Sequence, residues 1–201
     1  MENPITILAP QLFGKYPRSF ERLFNSVSIP DIKETDNIKL KLWKAYEFGL
    51  NYHKGQKRKS GEPFFNHCLA VANTLAIWNM DVTTIIAGLL HDTVEDTEAT
   101  IDDLNAGFGV EIAELVDGVS KISGITFSSR KEKQAGNYMK MLLSVAKDLR
   151  VIIIKFADRL HNMETIGHMS QIKKHRIAVE TREIYAPLAH RLGMSTVKSK
   201  L

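Results

Sequence analysis

The sequence predicts an all-α domain, and three observations indicate this. From Asp36 onward, apolar residues recur at the spacing of amphipathic helices. Pro63 suits the first turn of a helix, and Thr100 with Asp103 resembles a helix-capping pair. The β-branched run 151–154 would also suit a buried strand. We interpret it as helical because long helical segments flank it and no partner strand is evident.

Individual elements follow from the same patterns. Asp36 is predicted to cap a helix, and Pro187 is predicted to kink or break a final helix spanning 171–191. The segment 121–137 is rich in Ser, Lys and Gly and is predicted to be a loop that gates a pocket. The apolar face of the helix that begins at Asp36 is predicted to contain Leu40, Trp43, Tyr46 and Leu50.

Composition excludes several classes of protein. The 201 residues are 44% hydrophobic and 25% charged, which is ordinary for a soluble globular chain. A net charge of +4 favours anionic ligands but does not by itself indicate nucleic-acid binding. The single cysteine, Cys68, excludes an intramolecular disulfide and a cysteine-based zinc site. No apolar run approaches the ~20 residues that span a bilayer, so we expect a cytoplasmic protein with no membrane partner.

An adjacent His91 and Asp92 end the small, apolar segment 83–91. Imidazole and carboxylate groups are costly to bury without partners. Glu95 follows within one helical turn, so one surface would offer an imidazole and several carboxylates. For an isolated His-Asp pair, a capping or loop aspartate beside a satisfied core histidine would be the better interpretation.

Two further segments change that balance. His67 lies on another predicted helix, and Asp158 directly follows a strongly apolar run. Together with the His-Asp pair they supply two imidazoles and two carboxylates, a set that suits Mn²⁺, Fe²⁺, Co²⁺ or Zn²⁺. Such an ion would keep positions for water and substrate, and it could lower the pKa of that water.

The order His67, His91-Asp92, Asp158 is similar to the signature of HD-domain metallophosphohydrolases. The surrounding segments are more specific, and they resemble the RelA/SpoT homologues, the enzymes that make and degrade the alarmone (p)ppGpp. The segments that carry this resemblance are 58–63, 90–97, 155–163 and 185–193. The resemblance extends from about Asp36 to the end of the chain. It implies an HD-domain helical bundle and a hydrolase that uses Mn²⁺.

The resemblance also implies roles for individual residues. The implied metal ligands are His67, His91, Asp92 and Asp158. Glu95 and Asp96 match an acidic pair that orients or deprotonates the attacking water. The residues that match substrate-binding positions are Arg58, Lys59, Ser60, Asn162 and Thr165. Cys68 follows His67 where the family often has proline.

Several of these roles have simpler alternatives. Arg58 could stack on guanine or pair with phosphate, or its loop could simply be a solvated basic segment. Glu95 and Asp96 could be ordinary surface acids of a helix. His161 could support a metal ligand or be a buried structural histidine.

The predicted organisation has three parts. Residues 1–35 form an N-terminal extension with short helices, 36–195 form the HD-type hydrolase domain, and 196–201 begin a linker toward a synthetase domain. We expect an excised domain rather than a natural small hydrolase, because the segment from Tyr185 to Leu201 is typical of the long enzymes.

The predicted activity is metal-dependent hydrolysis of the 3′-pyrophosphate of (p)ppGpp to GDP or GTP plus pyrophosphate. The synthetase motifs are absent, so no pyrophosphokinase activity is predicted for this chain. One alternative is an HD phosphohydrolase that acts on other nucleotides. Another is a regulatory module that binds the alarmone without cleaving it. No nucleic-acid partner is expected.

Overall fold

A computed structural model describes residues 16–29, 31–123 and 147–201, and within these ranges the chain is helical with no β-strand. The all-α prediction is therefore confirmed. The α-helices are α1 Arg18–Ser26, α2 Thr35–Tyr52, α3 Phe65–Ile77, α4 Val82–Leu90, α5 Thr93–Asp96, α6 Ile101–Phe108, α7 Val110–Ser123, α8 Leu149–Glu164, α9 Gln171–Glu180, α10 Ala186–Arg191 and α11 Ser195–Lys200. Short 3₁₀ turns cover Ile32–Glu34 and Ile166–His168.

The core lies where α3, α4, α7 and α8 pack against one another, with α2 against α4. The β-branched run 151–154 is part of α8, so its interpretation as helix is confirmed. Ile152 and Ile154 are fully buried there. An apolar helix in this position carries its polar residues into the interior of the bundle.

Close packing between α3 and α4 depends on Gly88. A Cβ added there would lie 2.2 Å from Leu75 Cδ1, a distance at which the two atoms would clash. The missing side chain therefore lets the two helices approach each other near the end of α4. That approach brings His91, which follows α4, toward His67 on α3.

The predicted apolar face of α2 was partly wrong. Trp43 and Tyr46 are buried, but Leu40 and Leu50 are 41% and 42% exposed. The stripe that faces the core instead includes Ile38, Leu42, Ala45 and Gly49. Because this helix is apolar on more than one side, spacing alone does not decide which side packs. The helix also begins at Thr35, with Asp36 in its first turn rather than at the cap.

Other local predictions are confirmed. Thr100 and Asp103 form a reciprocal capping box at the start of α6. A π-helical turn, Thr181–Tyr185, interrupts the final helix, and Pro187 lies in the first turn of α10.

One expectation falls largely beyond the described residues. Within the predicted loop 121–137, residues 121–123 end α7, and the remainder lies outside the described part of the chain. Among the described residues, no helix combines the length and the apolar character needed to cross a membrane.

Candidate metal centre

Helices α3 and α8 and the turn between α4 and α5 position the predicted metal ligands. His67 lies on α3, His91 directly follows α4, Asp92 caps the short helix α5, and Asp158 lies on α8. His67, His91 and Asp158 are all buried, with at most 4% of their surface exposed. The four side chains therefore meet inside the bundle, at the edge of its apolar core.

The donor atoms of these residues converge. His67 Nε2 lies 3.4 Å from Asp92 Oδ2 and 3.3 Å from Asp158 Oδ1. His91 Nε2 lies 3.0 Å from Asp92 Oδ1. One donor atom from each of His67, His91 and Asp158 lies within 4.8 Å of the other two. Atoms this close can bind a single cation of ordinary ligand distance.

Hydrogen bonding shows which atom of His91 is available. Its Nδ1 lies 2.9 Å from the carbonyl oxygen of Gly88, which can only accept, so Nδ1 carries the proton. In the neutral ring the lone pair is then on Nε2. That atom is buried and makes no hydrogen bond of acceptable geometry. A buried nitrogen lone pair beside a carboxylate favours a cation in this space.

The same reasoning applies to His67. Its Nδ1 lies 2.8 Å from Nδ1 of His161, and that atom also lies 3.0 Å from an Arg58 nitrogen. The guanidinium can only donate, so Nδ1 of His161 accepts and Nδ1 of His67 donates. The lone pair of His67 therefore lies on Nε2, facing Asp92 and Asp158. Two carboxylates and two imidazole lone pairs in one place require a proton or a metal ion among them, so the residues fit a divalent cation.

The pKa shifts of the site residues also indicate an environment that favours positive charge. Burial by itself lowers the pKa of His91, but the neighbouring Asp92 carboxylate outweighs burial and raises it. Burial likewise opposes ionisation of Asp92, yet His91 and His67 hold its pKa far below the ordinary range. The site is therefore strongly attractive to positive charge.

A buried ion pair holds Asp158. Lys155 Nζ lies 2.5 Å from Asp158 Oδ2, one helical turn away, and both side chains are buried. Burial disfavours the charge of Asp158, but Lys155, His67 and His91 together outweigh burial and keep the pKa of Asp158 well below its ordinary value. Asn162 donates to the other oxygen, Oδ1, at 2.5 Å. Both carboxylate oxygens are thus fixed in direction.

A cavity of about 370 Å³ opens over this cluster. Glu95 and Asp96, on the short helix α5, line its wall and are exposed. Desolvation and then the charge of Asp92 raise the pKa of Asp96. The predicted acidic pair therefore lies beside the predicted metal ligands, where either carboxylate could accept a proton from water.

The predicted substrate-binding residues surround this space. Arg58 and Asn162 line the first cavity. Arg58, Lys59, Ser60 and Thr165 line a second cavity of about 340 Å³. The two cavities share Arg58, Phe64, Met169 and Lys173. The basic loop is a tight turn in which Arg58 N donates to Glu62 O, and Gly61 takes the left-handed φ of 88° that glycine adopts readily.

Sequence reasoning missed several charged residues of the site. Lys155 has no assigned role in the pattern, although a lysine inside an apolar helical run is itself a signal. Arg159, Lys173 and Arg176 also line the first cavity. Arg159 is buried, pairs with Glu180 at 3.1 Å and stacks on the ring of Tyr185. These cations add positive charge to a cavity whose floor is acidic.

Cys68, which directly follows His67, also lies beside the site. Its sulfur could join His91 and Asp92 in a second donor group within the same 4.8 Å limit. Burial, followed by the charges of Asp92 and Asp158, raises the pKa of the Cys68 thiol well above its ordinary value. The sulfur therefore stays protonated, which makes it a poor ligand.

Comparison with known proteins identifies the family of this chain. The family model of the HD domain matches residues 45–195. SpoT of Escherichia coli K12, named a bifunctional (p)ppGpp synthase/hydrolase, is 50% identical over 166 residues, which are 83% of this chain and 24% of that protein. A protein of Myxococcus xanthus named GTP pyrophosphokinase is 53% identical over 161 residues, covering 79% of this chain and 21% of that protein.

A solved structure is also similar. It is described as a metazoan ortholog of SpoT that hydrolyzes ppGpp and plays a role in starvation responses. The two share 25% sequence identity with a TM-score of 0.57, over 79% of this chain and 86% of the other. The chain spans less than a quarter of the length of the curated relatives described above. The chain belongs to the HD-domain family and, within it, to the RelA/SpoT homologues.

Proposed function

We propose that this chain hydrolyses the 3′-pyrophosphate of ppGpp or pppGpp, releasing GDP or GTP and pyrophosphate. The observation that carries the proposal is the convergence of His67, His91, Asp92 and Asp158 below a cavity rimmed by cations. The two similar proteins whose names include (p)ppGpp hydrolysis support the choice of substrate.

The four converging residues are the proposed ligands of a divalent metal, and the proposed metal is Mn²⁺. Mixed imidazole and carboxylate donors suit that ion. When bound, such an ion would polarise a phosphoryl oxygen and make a water molecule more acidic. The lone pairs on Nε2 of His67 and of His91 point in the direction that this assignment needs.

The acidic pair would handle the proton. Glu95 or Asp96 accepts a proton from a water in the cavity, and the water oxygen bonds to the phosphorus on the ribose 3′ oxygen. The bond between that phosphorus and the 3′ oxygen then breaks, pyrophosphate leaves, and the 3′ oxygen is protonated. The raised pKa of Asp96 suits a group that must take up a proton near neutral pH.

The basic loop and α8 would bind the nucleotide. We propose that Arg58, Lys59 and Ser60 contact the guanine nucleotide from the second cavity, and that Asn162 and Thr165 lie near its base and ribose. The two cavities adjoin at Arg58 and Phe64, so one nucleotide could span them. Cationic side chains at the rim would neutralise its phosphates.

The proposed setting of the whole protein is cytoplasmic, since one cysteine suits a reducing compartment. The synthase/hydrolase name of the similar SpoT protein, of which this chain spans 24%, supports a synthetase domain in the full-length protein.

The test compares the chain with its Asp92→Ala variant. Wild-type protein incubated with ppGpp and Mn²⁺ should yield GDP and pyrophosphate, and chelation of the metal should stop the reaction. The variant should bind no Mn²⁺ and produce neither product. Mn²⁺-dependent turnover by the variant would defeat the ligand assignment. Cleavage of other nucleotides in a panel, with ppGpp intact, would defeat the substrate assignment.

A further inference from the structure

His161 lies between the basic loop and the predicted metal ligands. It is on α8, three residues after Asp158, and its ring is half-buried. The centroid of its ring lies 4.9 Å from that of His67. Its Nδ1 is 2.8 Å from Nδ1 of His67 and 3.0 Å from an Arg58 nitrogen. One atom therefore contacts both a predicted ligand and a predicted substrate-binding residue.

The chemistry of that atom is restrictive. A neutral imidazole has one nitrogen lone pair in its plane, and here two N–H donors point to it. Because the guanidinium of Arg58 can only donate, Nδ1 of His161 carries the lone pair and accepts from both sides, with the proton of His161 on Nε2.

The Arg58 guanidinium also reaches a second acceptor on α8. Its other terminal nitrogen donates to Asn162 Oδ1 at 2.6 Å, and Asn162 in turn donates to Asp158. The two ends of the fork therefore lead to two different predicted ligands, through His161 to His67 and through Asn162 to Asp158. The planar guanidinium makes this geometry rigid.

We infer that His161 is a positioning residue for both halves of the site. Its single acceptor atom keeps the proton of His67 on Nδ1, which leaves Nε2 free to bind metal, and it holds Arg58 at the rim of the cavity. The inference rests on the proposed function, because it treats His67 as a ligand and Arg58 as a substrate contact. His161 itself touches neither the reacting atoms nor the metal.

Two substitutions of His161 distinguish the role of its acceptor atom from the role of its ring. In His161→Asn, the side-chain oxygen can occupy the place of Nδ1 and accept from both donors. In His161→Gln, the amide reaches the place of Nε2 instead, so the acceptor is lost although the side chain is polar and larger. Removal of a group that supports a metal ligand typically weakens metal affinity by about 10- to 100-fold.

The experiment measures Mn²⁺ affinity of the metal-free chain by titration calorimetry, followed by kcat and KM for ppGpp. We expect His161→Gln to weaken Mn²⁺ binding by about 10- to 100-fold and to raise KM. His161→Asn should recover most of both losses. Exposed His190 on α10 provides the control, and His190→Gln should match the wild-type protein in both measurements.

The outcomes separate this inference from the proposed function. If the wild-type chain bound no Mn²⁺ and cleaved no ppGpp, the proposed function would fail first. If the wild type bound Mn²⁺ but the Asn and Gln variants were equally good or equally poor, the acceptor role would be wrong. A loss confined to thermal stability, with unchanged Mn²⁺ affinity and KM, would likewise overturn it.

Discussion

Helix α8 carries two ionic clusters, one at its N-terminal end and one near its middle, and the two clusters differ mainly in burial. At its N-terminal end, Arg150 contacts Asp148 at 2.6 Å and Glu111 at 2.8 Å, and Asp81 lies 3.7 Å away. Near its middle, Lys155 contacts Asp158 at 2.5 Å. The first cluster is largely solvated, with Glu111 59% exposed, whereas both side chains of the second are at most 7% exposed.

The difference shows how burial changes the meaning of an ion pair. Water and mobile ions screen the Arg150 cluster, and exposed pairs of this kind contribute about 0–1 kcal/mol. The buried pair has little such screening, so loss of either residue removes a close opposite charge from the other. Here Lys155 holds the Asp158 carboxylate, which faces His67 in the candidate metal centre.

The largest expected effect is at Asp158. In Asp158→Asn, the carboxylate that faces His67 is lost, and buried Lys155 loses its ion pair with Asp158. We expect Mn²⁺ binding to disappear and turnover to fall more than about 100-fold, beyond the range for groups that only support a ligand. Calorimetry and product analysis measure these changes. Unchanged Mn²⁺ affinity would mean that Asp158 is not a metal ligand and that the buried pair has no more functional role than the Arg150 cluster.

The next effect is at Lys155, and it should depend on metal. In Lys155→Met, the Asp158 carboxylate remains buried without its cation, which should lower the free energy of unfolding by about 3–5 kcal/mol in metal-free protein. Added Mn²⁺ should recover part of this loss, because it supplies positive charge beside the same carboxylate. Urea unfolding with chelator and with Mn²⁺ measures both values. Equal losses in the two conditions would contradict the placement of the metal.

The same pair predicts a dependence on pH. The pKa of Asp158 is depressed in the folded chain, so its stabilising contribution is present above the ordinary value of 3.8 and is lost as pH falls through the folded value. The difference in unfolding free energy between wild type and Lys155→Met should therefore stay constant from about pH 8 to pH 5 and shrink in stronger acid. A difference that grew in acid would have the wrong sign.

A smaller effect is expected at Asp81, which caps α4. Its carboxylate accepts from the backbone and the hydroxyl of Thr84 at 2.9 and 2.6 Å. Asp81→Ala should cost about 1 kcal/mol, as is typical for loss of an N-cap. Thermal unfolding measures it, and Asp81→Asn, which keeps an acceptor, is the control. If Asp81→Ala lowered the stability as much as Lys155→Met, the exposed cluster would contribute as much to stability as the buried pair.

The smallest effect is expected at Arg150. Arg150→Met should change the free energy of unfolding by less than about 1 kcal/mol, and the change should diminish at high salt. The pKa of Asp148 is lowered chiefly by its hydrogen bonds from Arg150, so this contribution should fade as pH falls through that lowered value. If Arg150→Met lowered the free energy of unfolding by a large amount that persisted in 1 M salt, the Arg150 cluster would not be weaker than the buried pair.

Local patterns predicted much of this molecule. The Thr100–Asp103 capping box and the break near Pro187 follow from signals within a few residues. Asp36 and Pro63 do not occupy the positions predicted for them, because their helices begin at Thr35 and Phe65. The residues of the run 151–154 were ambiguous by themselves, and the long helical segments on either side predicted their helical structure correctly. The prediction of the apolar face of α2 was partly wrong, because a helix with apolar residues on two sides does not specify which side its neighbours cover.

Sequence alone determined the identity of His67, His91, Asp92 and Asp158 as candidates, because polar groups placed where the pattern predicts core are costly and therefore conspicuous. Only the tertiary structure decided how they are oriented. His161 contacts His67 across 94 residues and Arg58 across 103, and no local signal connects residues so far apart. Hydrogen-bond direction depends on which donor meets which acceptor, and that is settled only when α3, α8 and the basic loop pack together.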